Sequence, residues 1–300
     1  MRSSRLSSRS ARVARVVRVE SGLAEPFDDR LATEEPLEIR LLWGAERKTV
    51  AVTMRTPGAD AELATGFLFA EGVIGSADEI AAIRSVGEPS DLDCPNVVEV
   101  ELAPGLPEPQ LGSLDRHFFS NAACGVCGKA GLDGLELRIT EPLPAGPRVA
   151  ASLLTQLPER LRAGQALFAS TGGLHAAALF TPLGELLAVR EDVGRHNALD
   201  KLVGWALERR LLPLHDALLL VSGRTSYEIL QKALAAGIPW VCAVSAPSSL
   251  AVELARRFGI TLVGFLRGDR FNVYAGAERI TGLATAPAAP AETAETTFRV

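Results

Sequence analysis

A chain of 300 residues that is 47% hydrophobic and 22% charged carries enough apolar side chain for two globular units, which excludes a disordered chain. Its formal net charge of -5 argues against a protein that works by neutralising a nucleic-acid backbone and leaves room only for a local basic pocket. No apolar run approaches the roughly 18–20 residues needed to cross a bilayer, so a soluble protein without membrane contact is expected.

Residues 1–25 open with Arg2, Arg5, Arg9, Arg12, Arg15 and Arg18 and no acid before Glu20, and they lack the apolar stretch of a secretory signal. A transit sequence also has this composition, but a frayed basic arm is the expectation. Residues 26–114 predict a small mixed α+β domain. Leu37, Ile39 and Leu41, then Val50, Val52 and Met54, alternate as strands do around a break at Gly44–Glu46. Asp60 is placed to cap a helix carrying Leu63, Phe67 and Leu68, with Gly72 as its stop, and Val97 to Leu102 supplies another strand.

Residues 115–150 form a segment of another kind. Asn121 to Lys129 surrounds Cys124 and Cys127 with glycines and small residues, a composition that predicts a mobile loop, and a proline-rich connector follows. Residues 151–283 predict an α/β domain. A helix is expected around Leu153 to Ala163, then a hairpin from Leu174 to Arg190 turned at Thr181-Pro182-Leu183-Gly184, the pattern of a type I turn. Asn197 is read as the cap of a helix carrying Leu199, Leu202, Val203 and Ala206. Strands at Ala217–Val221, Trp240–Val244 and Thr261–Leu266 then alternate with helices at Thr225–Ala236 and Leu250–Phe258, which predicts a mainly parallel sheet covered on both faces. Residues 284–300, rich in Ala, Pro and Thr, are expected to be disordered.

Ligands of open α/β sheets bind beyond the carboxyl ends of the strands, and three turns there could hold one. Ser222-Gly223-Arg224 leads into a helix read as capped by Thr225 with Glu228, and its backbone N–H groups and Arg224 could hold a phosphate; an ordinary strand-to-helix turn explains it equally well. Ser245 to Ser249 is a second turn of small residues, for which capping alone is as good an account. The third is Phe265, Leu266, Arg267, Gly268, Asp269 and Arg270, where guanidinium groups could fork onto phosphate, the carboxylate could accept from a purine, and an aromatic ring could stack. Three such turns on one rim favour a nucleotide-like anion over exposed charges that merely close strands. The run Arg190 to Asn197 reads as a site edge; within it His196 is more simply a satisfied surface group than an acid or base. His175 is expected to be packed, His215 to lie at the surface, and His117 to sit beside the thiols.

For Cys124 and Cys127, zinc is disfavoured because there is no second Cys-x-x-Cys, and Cys94 and Cys242 are isolated. A thioredoxin-like couple would sit between a strand and a helix. A thiolate that attacks a donor sulfur and then swings to an acceptor suits the glycines best. The sparse cysteines fit a reducing, cytoplasmic setting.

Thr56-Pro57-Gly58 with Glu62 to Gly72, the Cys124 to Gly128 loop, Glu191 to Lys201, Ser222-Gly223-Arg224 and Phe271 to Tyr274 together resemble the formate dehydrogenase accessory sulfurtransferase family, FdhD, in the family's order from about Pro26 to Ala275. The resemblance implies a protein that takes persulfide sulfur from a cysteine desulfurase. It would pass that sulfur to the molybdenum (or tungsten) bis(guanine dinucleotide) cofactor of formate dehydrogenase, bound as substrate and mimicked by GDP. It also implies that Cys124 forms the persulfide with Cys127 as its partner, that Phe265 to Arg270 contacts the dinucleotide, that the C-terminal half is a cytidine-deaminase-like three-layer fold, and that the protein is a homodimer. The deaminase zinc signature is absent, since Ala176-Ala177 follow His175 and Ala123 precedes Cys124. Two alternatives stand beside the sulfurtransferase: a chaperone that delivers the cofactor without sulfur chemistry, and a thiol oxidoreductase.

Overall fold

The computed structural model describes residues 9–89, 95–111 and 141–284. Strands β1 (Ala11–Glu20) and β2 (Leu23–Ala32) form an antiparallel ribbon turned at Ser21-Gly22. Both turn residues are left-handed, with φ of 50° and 84°, the geometry that matches hairpin twist. The structure thus corrects the expectation of a structureless arm over its described part. The signal was the density of β-branched Val13, Val16, Val17 and Val19 among the arginines, and the arginines find partners. Arg15 Nη1 meets Asp28 Oδ1 at 2.8 Å, Arg12 reaches Glu35, and the Arg18 guanidinium lies over the Phe27 ring.

A second sheet runs β4-β3-β6-β5, built from β3 (Glu35–Trp43), β4 (Glu46–Arg55), β5 (Ile80–Pro89) and β6 (Pro95–Leu102), with α1 (Asp60–Ala70) against it. β3 and β6 are parallel and the other two pairs antiparallel, so this unit is mixed, as expected. Leu37, Ile39, Leu41, Val98 and Val100 alternate onto the face that meets Leu63 and Leu68 of α1, and all are sealed from solvent. Asp60 is not the cap of α1. The cap position is Ala59, in the left-handed region, and the Asp60 carboxylate instead takes Arg55 Nε and Nη2, both at 3.0 Å.

The remaining elements are β7 (Val149–Ala150), α2 (Ala151–Leu154), α3 (Leu157–Gly164), α4 (Ala166–Thr171), β8 (His175–Phe180), β9 (Leu186–Asp192), α5 (Arg195–Glu208), β10 (Leu218–Val221), α6 (Tyr227–Ala235), β11 (Trp240–Ala243), α7 (Ser249–Phe258), β12 (Thr261–Arg267), β13 (Arg270–Ala275) and β14 (Ile280–Thr281). Six of them make a sheet in the order β13-β12-β11-β10-β8-β9. Only the β10–β11 and β11–β12 pairings are parallel; β8 and β13 run against this trio, and β9, paired antiparallel with β8, returns in its direction. The expectation of a mainly parallel sheet therefore gives way to a parallel centre with a hairpin at each edge. The edge hairpins follow from their tight turns: at Thr181–Gly184 the Gly184 N–H closes onto Thr181 O at 2.8 Å, and Gly268 is left-handed.

Alternate residues of β10 face opposite layers. Leu219 and Val221 join α5, α6 and α7 in one core, while Leu218 and Leu220 join Leu154, Leu157 and Leu161 with Trp240 and Cys242 in another. Both faces of the sheet are covered, as the apolar strands predicted.

Candidate functional site

Parallel β10, β11 and β12 end at one edge of the sheet; β8 and β13, running against them, start there with His175 and Arg270, and β9 ends there with Asp192. The three turns read from the sequence are joined there. Thr225 N–H donates to Ala246 O at 3.1 Å, Ser248 N–H to Thr225 O at 2.9 Å, Phe265 N–H to Ser245 O at 3.1 Å, and Arg267 Nε to Val244 O at 3.0 Å. Ser222 Oγ accepts from Ala176 N–H at 2.9 Å, and Gly223 packs closely under His175: a Cβ there would lie 3.3 Å from its Nδ1. Arg224, Arg267, Gly268, Asp269 and Arg270 are exposed. Phe265 is 38% exposed and held at φ 53° within the irregular stretch of the β12–β13 ladder, a conformation that costs a bulky residue energy and that turns its ring away from the core. Leu266 departs from its neighbours. It is fully buried with Trp240, Cys242 and Val263, so it supports the rim and cannot touch a ligand.

The helices behind the rim start differently from the expectation. The Ser226 position, not Thr225, begins α6, and Thr225 Oγ1 is buried without a hydrogen-bond partner, so no capping box forms. Glu228 turns instead to His196 Nε2 at 3.4 Å and to Lys232 at 3.8 Å. Ser248 does cap α7, accepting from Ala251 N–H at 3.2 Å. His196 is not a surface group: it is largely buried, and burial pushes its pKa down to about 4 despite Glu228, with Arg195 and Lys232 adding to the effect. His175 is lowered too, first by burial and then by the Arg195 charge. Both imidazoles are neutral near pH 7. His215 is half-buried, packed close to Gly237.

The charged run Arg190 to Lys201 serves mainly as a clasp between the two units. Asp192 Oδ2 takes Lys201 Nζ at 2.7 Å and Thr56 N–H at 3.1 Å, while its Oδ1 takes Gly194 N–H at 2.8 Å and Asn197 Nδ2 at 3.2 Å. Lys201 also donates to Thr56 O at 2.8 Å, and Asn197 to Met54 O at 2.7 Å. Asn197 is therefore inside α5, which starts at Arg195 after Gly194, and is not its cap. Arg190 forks onto Glu62, with Nη2 to Oε1 at 2.6 Å. Helices α1 and α5 cross at Gly66 and Gly204, where a Cβ would stand 1.9 Å from Asp200 O and Glu62 O respectively. Lys232 holds Asp200 at 2.7 and 3.0 Å in the same buried region; burial depresses its ammonium, but Asp200 and Glu228 outweigh that and raise it.

A family model described as FdhD/NarQ matches residues 32–281. The chain belongs to the FdhD/NarQ family. It is 53% identical over 270 residues to a protein of Streptomyces avermitilis named sulfur carrier protein FdhD, covering 89% of this chain and 94% of that one. A protein of the same name from Mycobacterium tuberculosis is 52% identical over 260 residues, covering 84% and 92%. Among solved structures, a formate dehydrogenase accessory protein from Desulfotalea psychrophila aligns with a TM-score of 0.69 at 26% identity, over 90% of this chain and 99% of that one.

In this FdhD/NarQ member, Cys94, Cys124 and Cys127, with His117 and Lys129, lie outside the described residues, as do residues 1–8 of the basic start and 285–300 of the Ala/Pro tail. The described thiol is Cys242, fully buried in β11 and pushed up to about 12 by burial, which makes it an inert core residue. No helix is long and apolar enough to cross a membrane, and no metal-binding cluster occurs, among the described residues. The sequence missed the clasp, although one signal was available: an acid, a lysine and an asparagine at helical spacing, too polar for a core unless each meets a partner.

Proposed function

We propose that the protein is a sulfurtransferase that matures formate dehydrogenase. The Cys124 thiolate attacks the outer sulfur of a cysteine desulfurase persulfide; the donor S–S bond breaks, its thiolate leaves, and Cys124 carries the sulfane sulfur with no net oxidation. Cys127 then attacks Cys124 Sγ: the bond to the outer sulfur breaks, a Cys124–Cys127 disulfide forms, and the sulfur leaves at the sulfide level for the metal of a bis(guanine dinucleotide) cofactor bound as substrate. Ser222, Gly223, Arg224 and Phe265 to Arg270 would line its site, with Leu266 as support. The names of the relatives favour this reading, and so does the chemistry of the cysteines, since Cys242 is sealed and cannot serve.

The observation that carries the reading is the rim. Arg224, Arg267 and Arg270 stand exposed at the carboxyl edge of a parallel strand trio with Asp269 beside them, the charge and geometry a dinucleotide's phosphates and purine require. The cytidine-deaminase-like layering of the C-terminal half and a cytoplasmic location belong to the same proposal. The test is activation of apo-formate dehydrogenase with desulfurase, cysteine and cofactor. Sulfur transfer predicts that Cys124→Ala and Arg267→Ala both abolish activation. Activation by Cys124→Ala at the native rate would replace the sulfurtransferase by the chaperone.

A further inference from the structure

The six-stranded sheet ends on one side at β13, and the turn that leads into β13, from Arg267 to Arg270, belongs to the rim. Strand alternation sends Phe271 and Val273 to the face that meets α2 and α3, the layer that Leu154, Leu157 and Leu161 seal elsewhere. At β13 the seal is incomplete. Phe271 and Val273 are only part-buried, and a cavity of about 480 Å³ lies between them and α2. Ser152 and Thr155 line its helix side, and Leu283, 49% exposed, adds to its apolar wall. Apolar walls with a few polar groups, at this volume, suit a small flat ligand.

The cavity is continuous with the rim, because Asp269 and Arg270 line it as well. The β12–β13 register also breaks between Gly264 and Arg267, at the same hairpin, and such irregularities commonly stand beside sites. The ligand assigned to the rim has one heterocycle more than the rim has rings. Each arm of a bis(guanine dinucleotide) cofactor is a guanosine joined through a pyrophosphate to a pterin, so a flat ring stands at either end of the phosphates. Phe265 gives the rim an exposed ring for one of them, and Arg224 and Arg267 serve the phosphates.

We propose, resting on the dinucleotide reading of the rim, that this cavity is the subsite for the pterin end of the arm. The pyrophosphate crosses the turn at Arg267 and Arg270, and the pterin enters between β13 and α2. Phe271 and Val273 supply the apolar contact, and the hydroxyls of Ser152 and Thr155 meet the amino and oxo groups of the ring. Thr155 Oγ1 already donates to Ser152 O at 3.0 Å, so it is left to accept, which is the role an N–H of the pterin requires. A lipid chain or an apolar peptide would gain nothing from these hydroxyls or from the adjoining guanidinium.

The test titrates the full chain with neopterin, read by its own fluorescence, and with GDP, read by calorimetry. Neopterin is expected to bind saturably and to stay bound at saturating GDP. Val273→Trp and Ser152→Phe fill the cavity from opposite walls. Each is expected to weaken neopterin at least about tenfold while GDP affinity stays within about twofold, which also shows that the variant is folded. Displacement of neopterin by GDP, no saturation up to about 1 mM, or native neopterin affinity in both filled variants would overturn the proposal. The two readings fail separately: neopterin tests the cavity, whereas GDP binding indifferent to Arg267→Ala would remove the rim.

Discussion

The clasp and the rim are built from the same kinds of residue and treat charge in opposite ways. In the clasp Asp192, Asp200, Lys201 and Lys232 are at most 3% exposed, and each meets an opposite charge at 2.7 Å. At the rim Arg224, Asp269 and Arg270 stand in solvent and make no ion pair among the described residues. Buried charges must be satisfied internally because desolvation penalises them, so they are committed to structure. Exposed, unpaired charges on a rigid edge remain available to a ligand. A motif that stands out in sequence can therefore be the joint of the molecule while the plainer turns carry the binding groups.

That contrast breaks most visibly at Lys201. Lys201→Met leaves Asp192 buried opposite no cation and is expected to cost about 3–5 kcal/mol, read as a lower urea midpoint at unchanged slope. Loss of less than about 1 kcal/mol would mean the clasp is not the joint described.

A smaller effect comes from His196. Its folded pKa of about 4 lies below the roughly 6.5 of an unfolded chain, so the unfolded state binds the extra proton between them. The neutral ring's contribution is whole above pH 6.5 and is lost as pH falls towards 4, amounting to up to ~3 kcal/mol. Urea midpoints of the native chain and His196→Gln should differ in their dependence on pH across that window, the native chain falling more steeply; parallel curves would contradict the burial assigned to the ring.

The rim should respond the other way round. Arg224→Ala and Arg267→Ala are expected to change stability by less than about 0.5 kcal/mol, while each weakens GDP binding about tenfold in calorimetric titration. Equal affinity in both variants would remove the rim as the dinucleotide site.

Much of this was legible in the chain. Continuous apolar strands such as Leu218–Val221 and the amphipathic stripe of α5 are strong local signals, and the three carboxyl-end turns could be placed on one rim from strand order alone. Other features depended on distant partners. Asn197 and Thr225 have cap chemistry, yet Asn197 is drawn into the helix by Met54 and Asp192, and Thr225 is held by backbone bonds to the neighbouring turn. The basic start hid a strand because its arginines are matched by Asp28, Glu35 and Phe27 from segments that composition treats separately. Leu266 was placed with its charged neighbours, although strand alternation sends it inward.

The claim at the centre of the account is that Cys124 carries sulfur. Its most direct measurement is intact-protein and peptide mass spectrometry after incubation with a cysteine desulfurase and cysteine. The account predicts a gain of one sulfur atom on the peptide containing Cys124, released by a thiol reductant and absent from Cys124→Ala. A full sulfur load on Cys124→Ala, or none on the native protein, would contradict it.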